Sequence, residues 1–269
     1  MKLSHALTFA SLSDAGLVRN FNEDSVAVDE DMGLVLVADG MGGYKAGDVA
    51  AGMATLIVTN ELKGKLGDKG AREPVSTDVI RAAVNRANQA IYHAAHNRPQ
   101  FQGMGTTLVM ALFHDDMVTI AHAGDSRAYR LREGRLTQLT VDHSLLQEQL
   151  EMGLISTEDA RVSHNRNLVT RALGVNQNIV VDVKQERALP GDLYLLCTDG
   201  LNDMVDDADI ELAMESLQEN LPLLVKQLVI MANDNGGHDN ISVAAIRVDR
   251  PFPARRGFWA RIFPRLWNR

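Results

Sequence analysis

The chain has 269 residues, of which 45% are hydrophobic and 23% are charged, and its formal net charge is −8. This composition is typical of a folded domain with a large core, and the negative charge argues against a nucleic-acid-binding protein. The single cysteine, Cys197, excludes an internal disulfide and a cysteine-based zinc site. No apolar run approaches the roughly 20 residues that span a membrane, and the first residues are too polar for a signal peptide. We therefore expect a cytoplasmic protein.

Strand signals along the chain come in consecutive pairs rather than alternating singly with helices. The alternation of Leu7 and Phe9 predicts a first strand. Further strands are predicted at Ser25–Val28, Leu34–Asp39, Thr106–Phe113, Val118–Ala123, Arg127–Leu131, Arg135–Leu139, Ile179–Val183, Leu193–Thr198 and Ile241–Val248. Apolar residues at helical spacing predict helices at Ala46–Leu62, Asp78–His96, Ala208–Leu217 and Leu221–Asn233. Hairpins interrupted by helix pairs indicate antiparallel sheets with helices packed outside them.

The domain organisation follows from where this pattern is interrupted. Residues 145–167 are polar and irregular, which indicates an inserted flap. We expect one domain over residues 1–250, which contains the flap, and a C-terminal tail over residues 251–269.

Three apolar segments each end in an aspartate beside a glycine. They are LVLVADGMGG at 34–43, VTIAHAGDSR at 118–127 and LYLLCTDG at 193–200, and they place Asp39, Asp125 and Asp199 at strand ends. Asp-Gly is a common turn dipeptide, so a turn explains each segment taken alone. If the three ends meet in space, the carboxylates repel one another unless protons or cations neutralise them. The recurrence therefore indicates a metal site.

Other acidic residues lie near further predicted strand ends. Glu23 and Asp24 end the segment DAGLVRNFNED at 14–24, and Asp239 lies in GGHDNIS at 236–242. Ordinary solvated turns explain these residues as well. Because no cysteine or paired histidine accompanies the carboxylates, all-oxygen ligation favours Mg²⁺ or Mn²⁺. The sequence shows no EF-hand spacing, which argues against calcium, and it offers no set of nitrogen and sulfur ligands for zinc.

Seven segments in one order along the chain carry a family resemblance. They are DAGLVRNFNED, VADGMGG, GMGTTL, AGDSRAY, LTVDHSLL, CTDGL and GGHDNIS. Together, over residues 8–248, they resemble the metal-dependent protein serine/threonine phosphatases of the PPM/PP2C type, bacterial branch. The resemblance implies an α+β fold, with a central sandwich of two antiparallel β-sheets flanked by helical layers on both faces. It also implies hydrolysis of phosphoserine and phosphothreonine by metal-activated water, in opposition to a bacterial Ser/Thr kinase.

The resemblance implies a ligand set for two Mn²⁺ or Mg²⁺ ions and a third metal site. Asp39 would bridge two ions, the Gly40 carbonyl would serve one of them, and Asp199 and Asp239 the other. Asp125 with Asp199 would form the third site. The ions would reverse the local negative charge, lower the pKa of a shared water and stabilise in-line displacement.

The resemblance also implies roles outside the metal ligands. Glu23 and Asp24 would hold metal-bound waters. Arg19 matches the family's phosphate-binding arginine, and the alternative interpretation is that Arg19 is only an exposed surface charge. Met41 stands where eukaryotic members carry a histidine assigned as general acid, so the group that protonates the leaving oxygen is unassigned. His143 lies in a family motif, and we expect it to have a structural hydrogen-bonding role.

Two alternatives to the enzyme remain open at this point. A non-catalytic relative would bind phosphoproteins as a regulator, although the complete ligand set argues against it. A metal-dependent nucleotide hydrolase would need a Gly-x₄-Gly-Lys-Ser/Thr loop, which the sequence lacks. For the enzyme we expect a monomer whose partners are phosphorylated proteins and a cognate kinase.

The tail at 251–269 lies beyond the family resemblance. It holds five arginines, no acidic residue and both tryptophans of the chain, Trp259 and Trp267. Folding back onto the acidic domain is one interpretation of this composition. Docking to anionic lipid or to an acidic partner is the other, because interleaved arginine and tryptophan suit a membrane interface.

Overall fold

The computed structural model describes residues 3–43, 46–67, 75–156 and 168–253. In chain order the strands are β1 (Leu7–Asp14), β2 (Asp24–Asp29), β3 (Leu34–Met41), β4 (Gly105–Thr106), β5 (Leu108–His114), β6 (Met117–Ala123), β7 (Arg127–Arg132), β8 (Arg135–Gln138), β9 (Asp182–Arg187), β10 (Leu193–Cys197) and β11 (Ile241–Val248). The α-helices are α1 (Ala46–Leu66), α2 (Thr77–Asn97), α3 (Leu145–Glu151), α4 (Asp199–Asn202), α5 (Asp207–Leu217) and α6 (Leu221–Asp234). No helix among these is both long and apolar enough to cross a membrane.

The strands form two antiparallel sheets, as the resemblance implies. One sheet has the order β1-β11-β10-β7-β8, and the other has the order β2-β3-β5-β6-β9 with β4 paired to the end of β3. Helices α1 and α2 cover the second sheet, and α5 and α6 cover the first. The α+β sandwich with helical layers on both faces is thus confirmed.

The aliphatic run at the start of β3 is buried on both faces of its sheet. Leu34, Leu36 and Ala38 point into the core beneath α1 and α2, whereas Val35 and Val37 point into the core between the two sheets. A strand covered on both faces has no solvent side, so it is apolar throughout instead of alternating. The run LVLVA is therefore the sequence of a central strand of the sandwich.

Strand β10 repeats this arrangement in the other sheet. Tyr194 and Leu196 face the core between the sheets, while Leu193, Leu195 and Cys197 face the core beneath α5 and α6. Burial of the Cys197 thiol raises its pKa to about 12. Cys197 therefore packs as a small hydrophobic residue, and its thiol stays protonated.

Two predicted elements differ from the structure. The strand predicted at Ile179–Val183 lies instead at Asp182–Arg187. This strand, β9, pairs with β6 at the edge of its sheet, and its side chains are mostly exposed, so its sequence is not apolar. The apolar residues before it, Ile179 and Val181, pack under α2 instead of forming the strand. Within the predicted flap, Leu145–Glu151 is helical, and residues 157–167 lie outside the described residues.

Candidate metal centre

The acidic residues singled out in the sequence lie at one end of the sandwich. Asp39 is near the end of β3 and Asp24 begins β2, and the two are direct partners in the antiparallel ladder. Asp199 follows β10 and Asp239 precedes β11, which are also antiparallel neighbours. Asp125 follows β6, which runs parallel to β3 because both pair antiparallel with β5. Antiparallel pairing thus brings five carboxylates from distant parts of the chain to one edge.

Asp39 is fixed through its backbone by the segment between β4 and β5. Its N–H donates to Thr107 Oγ1 at 3.0 Å, and its carbonyl accepts from the Thr107 N–H at 2.9 Å and from Thr106 Oγ1 at 2.8 Å. Thr107 Oγ1 also lies 2.7 Å from the hydroxyl of Ser126, next to Asp125. One buried threonine therefore positions two of the acidic segments relative to each other.

Gly40 lies where no side chain can fit. A Cβ at this position would lie 2.2 Å from the Gly47 carbonyl oxygen and 2.4 Å from that of Glu23. Close packing of the start of α1 against the end of β3 requires glycine here. The same contact leaves the Gly40 carbonyl beside Glu23, at the edge where the carboxylates meet.

Asp199 begins the short helix α4 rather than the simple turn that Asp-Gly suggests. The helix places Asp203 one turn after Asp199, and the charge of Asp203 adds to burial, the largest cause, in raising the pKa of Asp199 and Asp125. Sequence reasoning missed Asp203. The four-residue spacing in DGLND could have found it, because residues i and i+4 share one helix face.

Asp125 is buried and follows a glycine whose backbone conformation other residues rarely adopt. Gly124 has a φ of +116°, and a Cβ there would lie 2.6 Å from the Thr107 side chain. A side chain larger than hydrogen would therefore displace Asp125 from the cluster.

Burial and crowding together raise the pKa values of four of these carboxyls, Asp39, Asp199, Asp24 and Asp125. Burial, followed by the charges of Asp199, Asp24 and Asp125, raises the pKa of Asp39 well above its usual range. Burial and the charges of Asp125, Asp203 and Asp239 do the same for Asp199, whose carboxyl is hydrogen-bonded to that of Asp39.

Two further carboxyls show the same effect to a smaller degree. Burial raises the pKa of Asp24 to about 7, although hydrogen bonds from Ser242 and Thr198 oppose the rise. Burial raises the pKa of Asp125 to about 6. A site that binds protons this strongly is one where positive charge is stabilising.

The carboxylates fit divalent cations with oxygen ligands. Asp24 Oδ1 and Asp199 Oδ1 are buried, and within the described ranges neither has a hydrogen-bond partner. Buried polar atoms are rarely left without partners in native proteins, so such atoms point to an ion or water. Hard oxygen donors of this kind suit Mn²⁺ and Mg²⁺.

Glu23 and Asp24 are held differently from one another. The Gly47 N–H in the first turn of α1 donates to Glu23 Oε1 at 3.2 Å. The hydroxyl of Thr198 donates to Asp24 Oδ2 at 3.0 Å. Both residues therefore lie in the predicted cluster, with one carboxylate oxygen of each used in positioning.

Arg19 lies over the centre and pairs with a predicted metal ligand. Its Nη2 donates to Asp239 Oδ2 at 2.7 Å, and this contact is the main cause of its raised pKa. The charges of Asp39 and Asp199 also raise the pKa of Arg19. Its guanidinium, with the side chain 54% exposed, is available to an anion from solvent.

Asn240 organises the segment that carries Arg19, and sequence reasoning missed it. Its Nδ2 donates to the carbonyls of Ala15 at 2.9 Å and Phe21 at 3.0 Å, and its Oδ1 accepts from the Glu23 N–H at 2.8 Å. All three partners are more than 200 residues away in the sequence. No local pattern marks such a residue.

A second group of potential ligands lies at the side of the centre. Among the described residues, His122, His143 and Asp182 have ligand atoms within 4.8 Å of one another. His143 Nδ1 accepts from the Gly124 N–H at 3.1 Å, so the neutral ring carries its hydrogen on Nε2, which lies 3.2 Å from Asp182 Oδ2. The Arg171 guanidinium is also 3.2 Å from that nitrogen. The hydrogen bonds to Gly124 and Asp182 give His143 the structural role expected from the sequence, and the hydrogen on Nε2 leaves that nitrogen no lone pair for a cation.

Comparison with known proteins agrees with this geometry. The family model for protein phosphatase 2C matches residues 18–228. The serine/threonine phosphatase Stp of Listeria monocytogenes is 38% identical over 240 residues, which cover 88% of this chain and 94% of that protein. The serine/threonine protein phosphatase PstP of Mycobacterium tuberculosis is 37% identical over 253 residues, which cover 92% of this chain and 46% of the longer relative.

Solved structures show the same similarity. The crystal structure of Mycobacterium tuberculosis PstP matches with a TM-score of 0.84 at 35% identity, covering 91% of this chain and 100% of that one. The PstP catalytic domain in complex with two manganese ions matches with a TM-score of 0.79 at 37% identity, covering 91% and 99%. Three observations lead to the same family: the fold, the carboxylates gathered at one end of it, and the match along most of the sequence. The chain belongs to the protein phosphatase 2C family of metal-dependent serine/threonine phosphatases.

Proposed function

We propose that this protein phosphatase removes phosphate from phosphoserine and phosphothreonine in proteins, with Asp39, Asp125, Asp199, Asp239 and the Gly40 carbonyl holding Mn²⁺ or Mg²⁺. The observation that carries the proposal is the convergence of these oxygen donors at one end of the sandwich. Burial and the charges of neighbouring carboxylates raise the pKa values of Asp39 and Asp199, and a buried Asp199 oxygen lacks a partner in the described structure. Bound positive charge stabilises such a cluster near neutral pH.

The chain's own residues then have separate tasks. When bound, Mn²⁺ or Mg²⁺ would neutralise the carboxylates and acidify the water that attacks phosphorus. Arg19 would exchange its contact with Asp239 for the phosphate, which accepts guanidinium N–H groups better than a single carboxylate oxygen does. Glu23 and Asp24 would orient water, each anchored through one oxygen. Met41 carries no proton to donate, so it cannot protonate the leaving oxygen.

The regulatory alternative gains no support from the site. A protein that only binds phosphoproteins would need Arg19 but not the buried acidic cluster, whose repulsion destabilises the fold without cations. The relatives that match the chain are named as phosphatases.

Phosphate release from a phosphothreonine peptide tests the function. The full chain should be active with Mn²⁺ and inactive in EDTA. Asp199→Asn should lose at least about 90% of turnover, because the variant removes one carboxylate charge without changing side-chain size. Asp209→Asn on the exposed surface of α5 is the matched control and should keep full turnover. Equal turnover of both variants would contradict the assigned site.

We also propose that the enzyme opposes a Ser/Thr kinase in the cytoplasm and that its tail docks on anionic lipid or an acidic partner. Residues 254–269 lie outside the described residues. The last apolar residue before them, Phe252, is 4% exposed and its ring packs on Phe113 with centroids 6.2 Å apart. Phe113 lies near the β5–β6 turn, at the opposite end of β5 from the metal centre. Phe252 therefore lies at the end of the sandwich away from the metal centre.

Vesicle co-sedimentation tests the tail. The full chain should bind vesicles of anionic lipid at low salt, and a chain ending at Pro253 should not. The cut follows Pro253, because removing Phe252 would expose the core. Equal, negligible binding by both chains would refute the lipid interaction.

A further inference from the structure

Three large apolar side chains are exposed in the loop that carries Arg19. Leu17 is 69% exposed, Val18 is 60% exposed and Phe21 is 56% exposed. Single exposed apolar residues are ordinary on protein surfaces, but three within five residues beside a charged site are not.

The loop is held in place rather than free to fold over its apolar side chains. The N–H groups of Leu17 and Val18 both donate to the Gly237 carbonyl, at 2.8 and 3.3 Å. The Asn240 side chain ties Ala15 and Phe21 to the start of β11. Gly16, with a φ of +74°, packs so closely on the Asp239 carbonyl that a Cβ would lie 2.2 Å from its oxygen. The exposed face is thus a fixed feature of the fold.

We infer that the side chains of Leu17, Val18 and Phe21 form a docking surface for apolar residues next to the phosphorylated residue of a protein substrate. This inference rests on the proposed function, and the surface is continuous with the centre through Arg19, which lies within the same loop. A phosphate held by Arg19 brings the residues beside it within reach of this face. The occupant is therefore a phosphopeptide with apolar neighbours.

The charges around the loop favour apolar over acidic neighbours in the substrate. Arg19 is the single basic residue of the segment 14–24, and it is already paired with Asp239. The partly exposed Asp14 and Glu23 flank the loop, and an acidic peptide would meet them without a compensating cation of its own. Apolar side chains meet no such repulsion and remove three apolar groups from water.

Two phosphothreonine peptides of equal length and charge test the docking surface, one with leucine and valine beside the phosphothreonine and one with serine and glycine. Full-length protein with Mn²⁺ should hydrolyse the apolar peptide with about tenfold higher kcat/KM, a difference of about 1.4 kcal/mol. The double variant Val18→Ser/Phe21→Ser should reduce that preference to about twofold or less. The double variant should lose about fivefold more kcat/KM on the apolar peptide than on p-nitrophenyl phosphate, which has no neighbouring residues.

The controls separate docking from folding. Leu17 is left unchanged, because its side chain packs on Gly237 and supports the loop. Leu56→Ser on α1 and Leu212→Ser on α5 are matched controls at side chains that are each 62% exposed, and both should keep the wild-type preference. If the double variant unfolds, Val18→Glu alone should shift preference from the apolar peptide towards one with lysine neighbours.

Several outcomes overturn the inference. Equal rates of wild type on the two peptides, or an equal loss by the double variant on both peptides and on p-nitrophenyl phosphate, would show that the surface does not dock substrate. A dimer in sedimentation that Val18→Ser/Phe21→Ser dissociates would identify a second copy as the occupant instead. Inactivity on every phosphate ester with Mn²⁺ would defeat the proposed function and this inference with it.

Discussion

Replacing Asp24 with asparagine should stabilise the metal-free protein at pH 8 far more than at pH 5. Burial raises the pKa of this carboxyl from 3.8 to about 7 in the folded protein. Because the folded pKa lies above the unfolded one, the fold binds more protons than the unfolded chain does. The stability from this group is therefore complete below about pH 4 and is lost as the pH rises through about 7.

The size of the effect follows from the same shift. Above pH 5 the unfolded carboxyl has lost its proton, while the folded one keeps most of its own until the pH nears 7. Wild type therefore loses unfolding free energy at up to about 1.4 kcal/mol per pH unit, and the total loss is about 3 kcal/mol by pH 8. Asparagine does not titrate, has the same shape, and keeps a carbonyl oxygen that can accept from Thr198 as Asp24 Oδ2 does.

Urea unfolding in EDTA, followed by circular dichroism at pH 5 and pH 8, measures this difference. The stability gain of Asp24→Asn over wild type should be about 3 kcal/mol larger at pH 8 than at pH 5. Asp209→Asn, on the exposed surface of α5, should show no such growth. A gain for Asp24→Asn that is the same at both pH values, within about 0.5 kcal/mol, would refute the assignment of a buried, proton-binding carboxyl.

Three further substitutions probe the parts of the centre. Arg19→Ala should raise the KM for a phosphothreonine peptide about tenfold with a smaller change in kcat, because guanidinium binds phosphate before chemistry, and an unchanged KM would argue against that role. Asp125→Ala should lower turnover and remove one Mn²⁺ from Mn²⁺-soaked crystals while two ions remain, whereas an unchanged ion count would refute the third site. Asn240→Ala deletes three hydrogen bonds to the Arg19 loop, so it should lower the melting temperature by about 4–8 °C and also raise KM. An unchanged KM in a destabilised Asn240→Ala protein would mean that the loop does not need this anchor.

The strands that end at the metal centre could be read from the sequence, because burial leaves a strong local pattern. Leu34–Ala38 is apolar at every position since each face of β3 meets a core. A polar Asp39 directly after such a run marks where the strand leaves the core. The same reasoning located Asp199 after β10.

Features that depend on tertiary pairing left no such pattern. Strand β9 is exposed at the edge of its sheet, so its sequence DVKQER looks polar and its backbone pairing with β6 could not be seen. The role of Asn240 comes from its hydrogen bonds to residues 15, 21 and 23, which lie near it only in the folded chain. Asp203 could be found only by reading DGLND as the start of a helix rather than as the turn that Asp-Gly suggests.

Asp39 is the central residue of the proposed metal centre, because its buried carboxyl meets the charges of Asp199, Asp24 and Asp125. Isothermal titration of Mn²⁺ into metal-free protein, together with turnover of a phosphothreonine peptide on the same samples, measures its role. Wild type should bind at least two ions, as in the related PstP complex with two manganese ions, and should be active. Asp39→Asn should bind fewer ions and keep less than about a tenth of the turnover, while remaining folded. An Asp39→Asn protein that binds Mn²⁺ as wild type does, and turns over at more than about a tenth of its rate, would contradict the assignment of this cluster as the catalytic metal centre.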